Sequence, residues 1–309
     1  MHTSIRFLKE GWDVIGLDNM NSYYSVQLKE DRINQIKLAA KKNEKSFKMF
    51  IDDINSDVWN KLCTKDIEIV IHLAAQAGVR YSIENPRAYL ESNIIGFQSV
   101  IDFVISLEND VKFIYASSSS VYGKSASQPF TETADCNSPE SYYAATKKAN
   151  ELMASSYYKT SKLSSVGLRF FTVYGPWGRP DMAPMLFAKA AMNNDTIEVF
   201  NHGRQKRDFT YIGDIVEGIF QVAIKPGLEG DLVLNIGNGK PTNLLTFISK
   251  LEHLFNKNIL KNFVAAQPGD VDVTYADMQN FNRIIGMNTV TDIDIGLERF
   301  VEWYKSYYL

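Results

Sequence analysis

Apolar, β-branched runs alternate along the chain with longer stretches of helical periodicity. The runs are VIGLD (14–18), FKMFI (47–51), IEIVIHLAA (67–75), VKFIYAS (111–117), SVGLRFFTV (165–173) and LVLNIG (232–237). Runs this apolar fit strands buried on both faces of a parallel sheet. Helical patterns fall between them, near 25–42, 87–108 and 142–161. That alternation predicts an α/β fold with a doubly wound parallel sheet. After Val173 the texture changes. YGPWGRPDMAP (174–184) is dense in Pro and Gly and reads as a structured loop. Helices follow near 184–193, 213–224, 242–256 and 293–308. This predicts a domain over 1–173 that also receives segments near 206–237, and a smaller lobe mainly over 174–309.

The opening MHTSIRFLKEGWDVIGLDNM holds the end of an amphipathic helix (4–10) and then the first run. In a nucleotide-binding α/β domain a strand and a glycine-rich turn come before such a helix. Here the written sequence has neither.

Ligands of doubly wound sheets sit beyond the carboxyl ends of the strands. The predicted ends are Asp18, Asp52–Asp53, Ala74–Gln76, Ser117–Ser120 and Thr172, all small, polar or acidic. Asp18 can accept both hydroxyls of an adenosine ribose, or simply cap a helix. Asp53 can meet an adenine edge, or sit in an ordinary turn. The small residues of HLAAQAGVR (72–80) allow a ligand close to the backbone, or serve a tight strand–loop junction. His72 reads as a core histidine.

Bulk properties narrow the classes. The 309 residues carry a net charge of −3, which gives no general reason to expect nucleic acid or an anionic membrane as partner. Cys63 and Cys136 are the only cysteines and lack metal-like spacing, so a reduced, cytoplasmic setting is expected. No apolar run approaches the ~20 residues of a membrane span, and no metal constellation is visible.

The strongest chemical signal is Tyr143 with Lys147, at i and i+4 on one helix face. An ammonium near a phenol favours phenolate and lowers its pKa from ~10, so the Tyr can act as general base toward a sugar hydroxyl. Tyr158 and Lys162 match the same spacing but lie at the far end of that helix. Ser118, in ASSSSVYG (116–123), precedes Tyr143 and can donate to the reacting oxygen and pass its proton to the phenolate, although Ser clusters also mark plain turns. Arg80, Arg179 and Arg207 sit in loops around the same predicted cleft. Their guanidinium forks suit phosphate, or surface ion pairs.

These residues resemble the extended short-chain dehydrogenase/reductases, and among them the nucleotide-sugar epimerases, most nearly the UDP-glucuronate 4-epimerases of bacteria and plants. The stretches that carry the resemblance are GLDNMNSYYSVQLKEDR (16–32), HLAAQAGVRYSIENP (72–86), YASSSSVYG (115–123), YAATKKANELM (143–153), LRFFTVYGPWGRPDM (168–182), KRDFTYI (206–212) and QPGDV (267–271). The resemblance implies a Rossmann-like NAD-binding domain and a tightly held NAD regenerated in each cycle. Asp18 and Asn19 would hold the adenosine ribose and Asp53–Ile54 would flank adenine. Leu73, Ala74, Ala75 and Gln76 would line the pyrophosphate and nicotinamide side, with Asn93 supporting that loop. Lys147 would bind the nicotinamide ribose and tune Tyr143. Ser118 would pair with Tyr143 at the sugar, with Ser119 and Ser120 nearby and Thr172 beside a sugar carboxylate. Arg179, Arg207, Gln267 and Asp270 match positions that hold uridine diphosphate, and Arg80 a phosphate-facing one.

Related dehydratases and decarboxylases carry an acid just before VYG. Ser120 stands there, so C4 epimerisation of a UDP-sugar is the implied reaction, UDP-glucuronate first and UDP-glucose or a UDP-N-acetylhexosamine as alternatives. A homodimer through helices matching 87–108 and 142–161 is also implied. Family members have a first strand and a GxxGxxG turn before the segment matching HTSIRFLKEGW. The resemblance therefore leads to the expectation of a late start, with weak cofactor binding and impaired folding for the 309 residues as written. The alternative is a non-catalytic protein that binds nucleotide sugars.

Overall fold

The computed structural model describes residues 1–62, 66–124, 126–266, 271–287 and 290–309. Helix α1 (His2–Lys9) leads into strand β1 (Val14–Asp18), helix α2 (Val26–Lys42) and strand β2 (Phe47–Ile51). Strands β3 (Ile69–His72), β4 (Lys112–Ser118) and β5 (Ser165–Phe170) follow. Between β4 and β5 runs the long helix Tyr142–Ser161. Its start is fixed by Ser141, whose Oγ accepts from the Ala144 amide at 3.1 Å. Its end is Lys162 in the left-handed region. Ser25 caps α2 in the same way.

The central sheet has the order Asp231–Ile236, β5, β4, β3. All its pairings are parallel, with Ile71 opposite Ile114 and Ile114 opposite Val166. The strands β1 and β2 form a separate parallel pair. Among the described residues β1 has no partner on its edge away from β2, and β3 none on its edge away from β4. The apolar texture predicts burial on both faces. It holds for β5, whose first five residues are buried, but not for β1, where Ile15 is 44 % exposed. Side-chain packing still unites the two sheets. Val14, Ile69 and Ile71 pack against the cluster of Phe7, Ile114, Val166, Ile215, Ile219 and Leu234.

Two predicted elements are more irregular than their sequence pattern. The run 165–173 breaks at Phe171. The Thr172 amide donates to Asp208 O, and Thr172–Tyr174 pairs with Phe209–Tyr211 instead of extending β5. The helix near 87–108 is interrupted by a π-helical stretch, Leu90–Ile95, before Gly96–Ser106. The π stretch includes Asn93, which is buried. The later residues enclose their own core, with Phe209 stacked on Phe247 at 4.0 Å and Leu251, Leu297 and Phe300 around them. No helix among the described residues is long and apolar enough to cross a membrane.

Candidate active site

A cavity of about 1060 Å³ opens beyond the carboxyl ends of the strands. Of the residues singled out in the sequence, it is lined by Asp18, Asn19, Asp53, Ile54, Leu73–Gln76, Arg80, Ser118–Ser120, Tyr143, Lys147, Thr172, Arg179 and Arg207. Gln267 and Asp270 lie outside the described residues. Asn93 is not on the wall but behind it. Its Oδ1 accepts from the Gln76 amide at 2.8 Å, and its Nδ2 donates to Gln76 O at 2.9 Å and to Thr146 Oγ1 at 3.0 Å. One buried amide therefore fixes the 74–76 loop to the Tyr143 helix.

At one end, Asp18 Oδ1 accepts the Met20 amide at 2.7 Å, and Asn19 Nδ2 donates to Asp53 Oδ2 at 2.8 Å. This couples the ends of β1 and β2. Thr3, in the first turn of α1, also lines the cavity. Helix N-terminal amides there suit an anion. Ser118 Oγ accepts from Ser120 N at 3.2 Å and Ser120 Oγ at 2.9 Å, and Ser118 sits near enough to the Tyr143 phenol to favour its ionised form. The Tyr143 ring meets Tyr89 edge-on at 6.0 Å, and Tyr89 OH donates to Gly78 O. At another wall Arg207 Nη1 donates to Lys206 O and Asp272 O, while Arg80 lies 4.2 Å over the Phe200 ring.

Lys147 was expected to make Tyr143 acidic. In this structure its Nζ donates to Ala116 O at 2.8 Å, and burial pulls the amine down to about 8. Burial likewise pushes the Tyr143 phenol above its ordinary value, and what opposes this is the Ser118 hydrogen bond and the Arg179 charge. The Arg179 charge thus favours the phenolate. The Arg179 guanidinium donates through Nη2 to Ala77 O at 3.2 Å, next to Gly78.

His72 is buried beside Phe97 and held neutral, down to about 3, chiefly by burial and then by the Lys147 charge. It is a core residue, as its place inside an apolar run suggested. Lys162 lies over the Tyr158 ring, and neither residue lines the cavity.

Sequence reading missed the support behind the site. Glu151, one turn beyond Lys147, accepts from Ser117 Oγ at 2.6 Å and from Arg169 Nε and Nη2, each at 2.8 Å. A buried Glu and Arg inside apolar patterns were the available signal. Tyr23 and Asp181 were also missed, and both line the cavity.

Comparison with known proteins agrees with this arrangement. The model of the NAD dependent epimerase/dehydratase family matches residues 1–237. Protein CapI of Staphylococcus aureus is 45 % identical, over 99 % of this chain and 95 % of that protein. UDP-glucuronate 4-epimerase 4 of Arabidopsis thaliana is 40 % identical, over 99 % of this chain and 73 % of that one. Among solved structures, UDP-glucuronic acid 4-epimerase from Bacillus cereus, in complex with UDP-glucuronic acid and NAD, superposes with a TM-score of 0.91. It is 32 % identical and covers 99 % of this chain and 96 % of its own. With its cavity at the strand ends and these matches along nearly its whole length, the chain belongs to the NAD-dependent epimerase/dehydratase family, as an extended short-chain dehydrogenase/reductase.

Proposed function

We propose that this protein interconverts UDP-glucuronate and UDP-galacturonate by NAD-dependent epimerisation at C4. The observation that carries the reading is the convergence of Ser118, Tyr143, Lys147 and Arg179 on one cavity that also reaches Asp18, Asp53, Arg80 and Arg207. The likeness to UDP-glucuronate 4-epimerases supports the choice of sugar.

The residues present fit NAD. Asp18 and Asn19 would take the adenosine ribose, Asp53 and Ile54 the adenine, and residues 73–76 the pyrophosphate and nicotinamide side. Lys147, with its charge buried, would meet the nicotinamide ribose. NAD held there would supply a reversible hydride acceptor for C4. Tyr143 takes the C4 hydroxyl proton as general base. Ser118, beside the phenol, relays it. Arg179 lowers the cost of the phenolate against the burial that opposes it. The 4-keto sugar is a β-keto acid, prone to lose CO₂. Thr172, on the cavity wall, is our candidate to hold its carboxylate out of alignment with the carbonyl, with Ser119 and Ser120 nearby. Arg80 and Arg207 would face the diphosphate side, as would Gln267 and Asp270 by resemblance.

The reading includes a cytoplasmic homodimer. Leu90, Ile95, Ile105 and Leu152, all more than 40 % exposed, lie on the helices expected at the interface and support it. It also divides the chain into a nucleotide-binding part, 1–173 with 206–237, and a substrate lobe. Incubating the NAD-loaded protein with UDP-glucuronate, UDP-glucose and UDP-N-acetylglucosamine tests the reading. Epimer from the uronate without released CO₂ is expected. Turnover confined to a neutral sugar, or CO₂ as the main product, would contradict it.

A further inference from the structure

The loop that carries Arg179 is held from the nucleotide side of the molecule. Arg32, on α2, donates through Nη2 to Trp177 O at 2.7 Å and Gly178 O at 3.1 Å, and through Nη1 to Tyr24 OH at 2.7 Å. Trp177 has φ 61°, in the left-handed region that aromatic residues rarely enter. Its ring lies 5.5 Å from Trp303 and 4.9 Å from Tyr307, and Tyr307 OH bonds Asp31 of α2. Such strain persists where the surroundings over-determine the backbone, often beside an active site.

Two residues further on, Asp181 grips Arg179 through Nε at 3.1 Å and Nη2 at 2.5 Å. Asp181 is itself held by Tyr23 OH, at 3.2 Å. Tyr23 belongs to the connection that leaves β1 at Asp18. Its ring lies 4.9 Å from Tyr81 and 5.7 Å from the Arg179 guanidinium.

Building on the epimerase reading, we propose that Tyr23 is a positioning residue: by holding Asp181 it fixes the Arg179 guanidinium against Ala77, at the Tyr143 side of the cavity. Arg32 supplies the backbone half of the same splint. Arg179 has a long, flexible side chain and Asp181 is about one-third exposed. The bidentate ion pair fixes the two groups to each other, but not the pair to the cavity. The Tyr23 hydroxyl and ring supply the direction.

The test uses the NAD-loaded protein and Tyr23→Phe, which keeps the ring and removes the donor. The Arg179 Nε–H resonance, identified by its loss in Arg179→Lys, should be ordered in the parent and shifted or broadened in Tyr23→Phe and in Asp181→Asn. kcat for UDP-glucuronate should fall about tenfold in Tyr23→Phe, the scale of one hydrogen bond to a charged group, with KM within twofold. Affinity for UDP, which lacks the sugar, should stay within twofold. On the Arg179→Lys background Tyr23→Phe should add little, because both act through the same group. An unchanged Arg179 resonance in Tyr23→Phe overturns the proposal. So do an unchanged kcat, a loss of UDP affinity, or full multiplication of the two effects. If the parent turns over no UDP-sugar, the epimerase reading fails, and the Arg179 resonance still decides the positioning claim.

Discussion

Replacing Arg169 by Met removes the cation from a buried pair that braces the site. Arg169 and Glu151 side chains are 3 % and 4 % exposed, and two parallel bonds of 2.8 Å join them. The guanidinium also lies 4.7 Å over the Tyr122 ring. Burial alone would push the Glu151 carboxyl up. Arg169, then Ser117 and Lys148, reverse this and hold it below its ordinary value. Without Arg169 the carboxylate keeps Ser117 Oγ at 2.6 Å and Lys148 Nζ at 3.2 Å. Breaking one side of a buried pair costs about 3–5 kcal/mol, and the remaining Lys148 places the expected loss near the lower figure, about 3 kcal/mol. Replacing both partners with apolar residues, Glu151→Leu with Arg169→Met, should recover most of it. The sign with pH follows. In the parent, Glu151 contributes stability above its unfolded pKa and loses it as pH falls. In Arg169→Met the stranded carboxylate is relieved by protonation, so the gap to the parent should narrow between pH 7 and 5. Urea denaturation followed by circular dichroism at both pH values reads this directly. A loss below 1 kcal/mol in the single variant, or a double variant no better than the single, would refute the reasoning.

Other outcomes follow from the same geometry. His72 is held down to about 3 by burial, below its unfolded value, so the unfolded chain binds a proton that the folded one refuses. Stability should therefore drop by about 2–3 kcal/mol between pH 6.5 and 4.5. His2, down to about 4 for the same reason, adds to the drop. A His72→Gln variant should show a shallower slope in the same titration, and an identical slope would contradict the assignment. Asn93→Ala strands the Gln76 amide and carbonyl, so we expect a loss of about 2–4 kcal/mol and weaker NAD binding in a fluorescence titration. Unchanged melting and unchanged affinity would show that the 74–76 loop needs no such brace.

The parallel strands were legible because double-sided burial demands long apolar runs. Val14–Asp18 and Phe47–Ile51 appear with the predicted bounds, as does the helix Tyr142–Ser161. The two-residue strands Lys206–Arg207 and Thr242–Asn243 were not legible, since two residues carry no period. The π stretch around Asn93 was hidden for a similar reason: its composition differs little from ordinary helix. For the site, the strand-end residues apart from Asp52 line one cavity, because topology alone puts them there. Charge effects were less readable. The Tyr143–Lys147 spacing suggested an acidified phenol, but spacing carries no information on burial, and burial raises the phenol here. The tie from Tyr23 to Asp181 spans 158 positions of sequence, and no local pattern announces it.

The central claim is that the Tyr143 phenol removes the sugar proton. Conversion of UDP-glucuronate should be followed by separation of the epimers, comparing the NAD-loaded parent with Tyr143→Phe, alongside calorimetric UDP-glucuronate binding. General-base loss of about 10²–10⁴ in turnover, with affinity kept within a few-fold, is what the account predicts. Turnover within tenfold of the parent in Tyr143→Phe would contradict it.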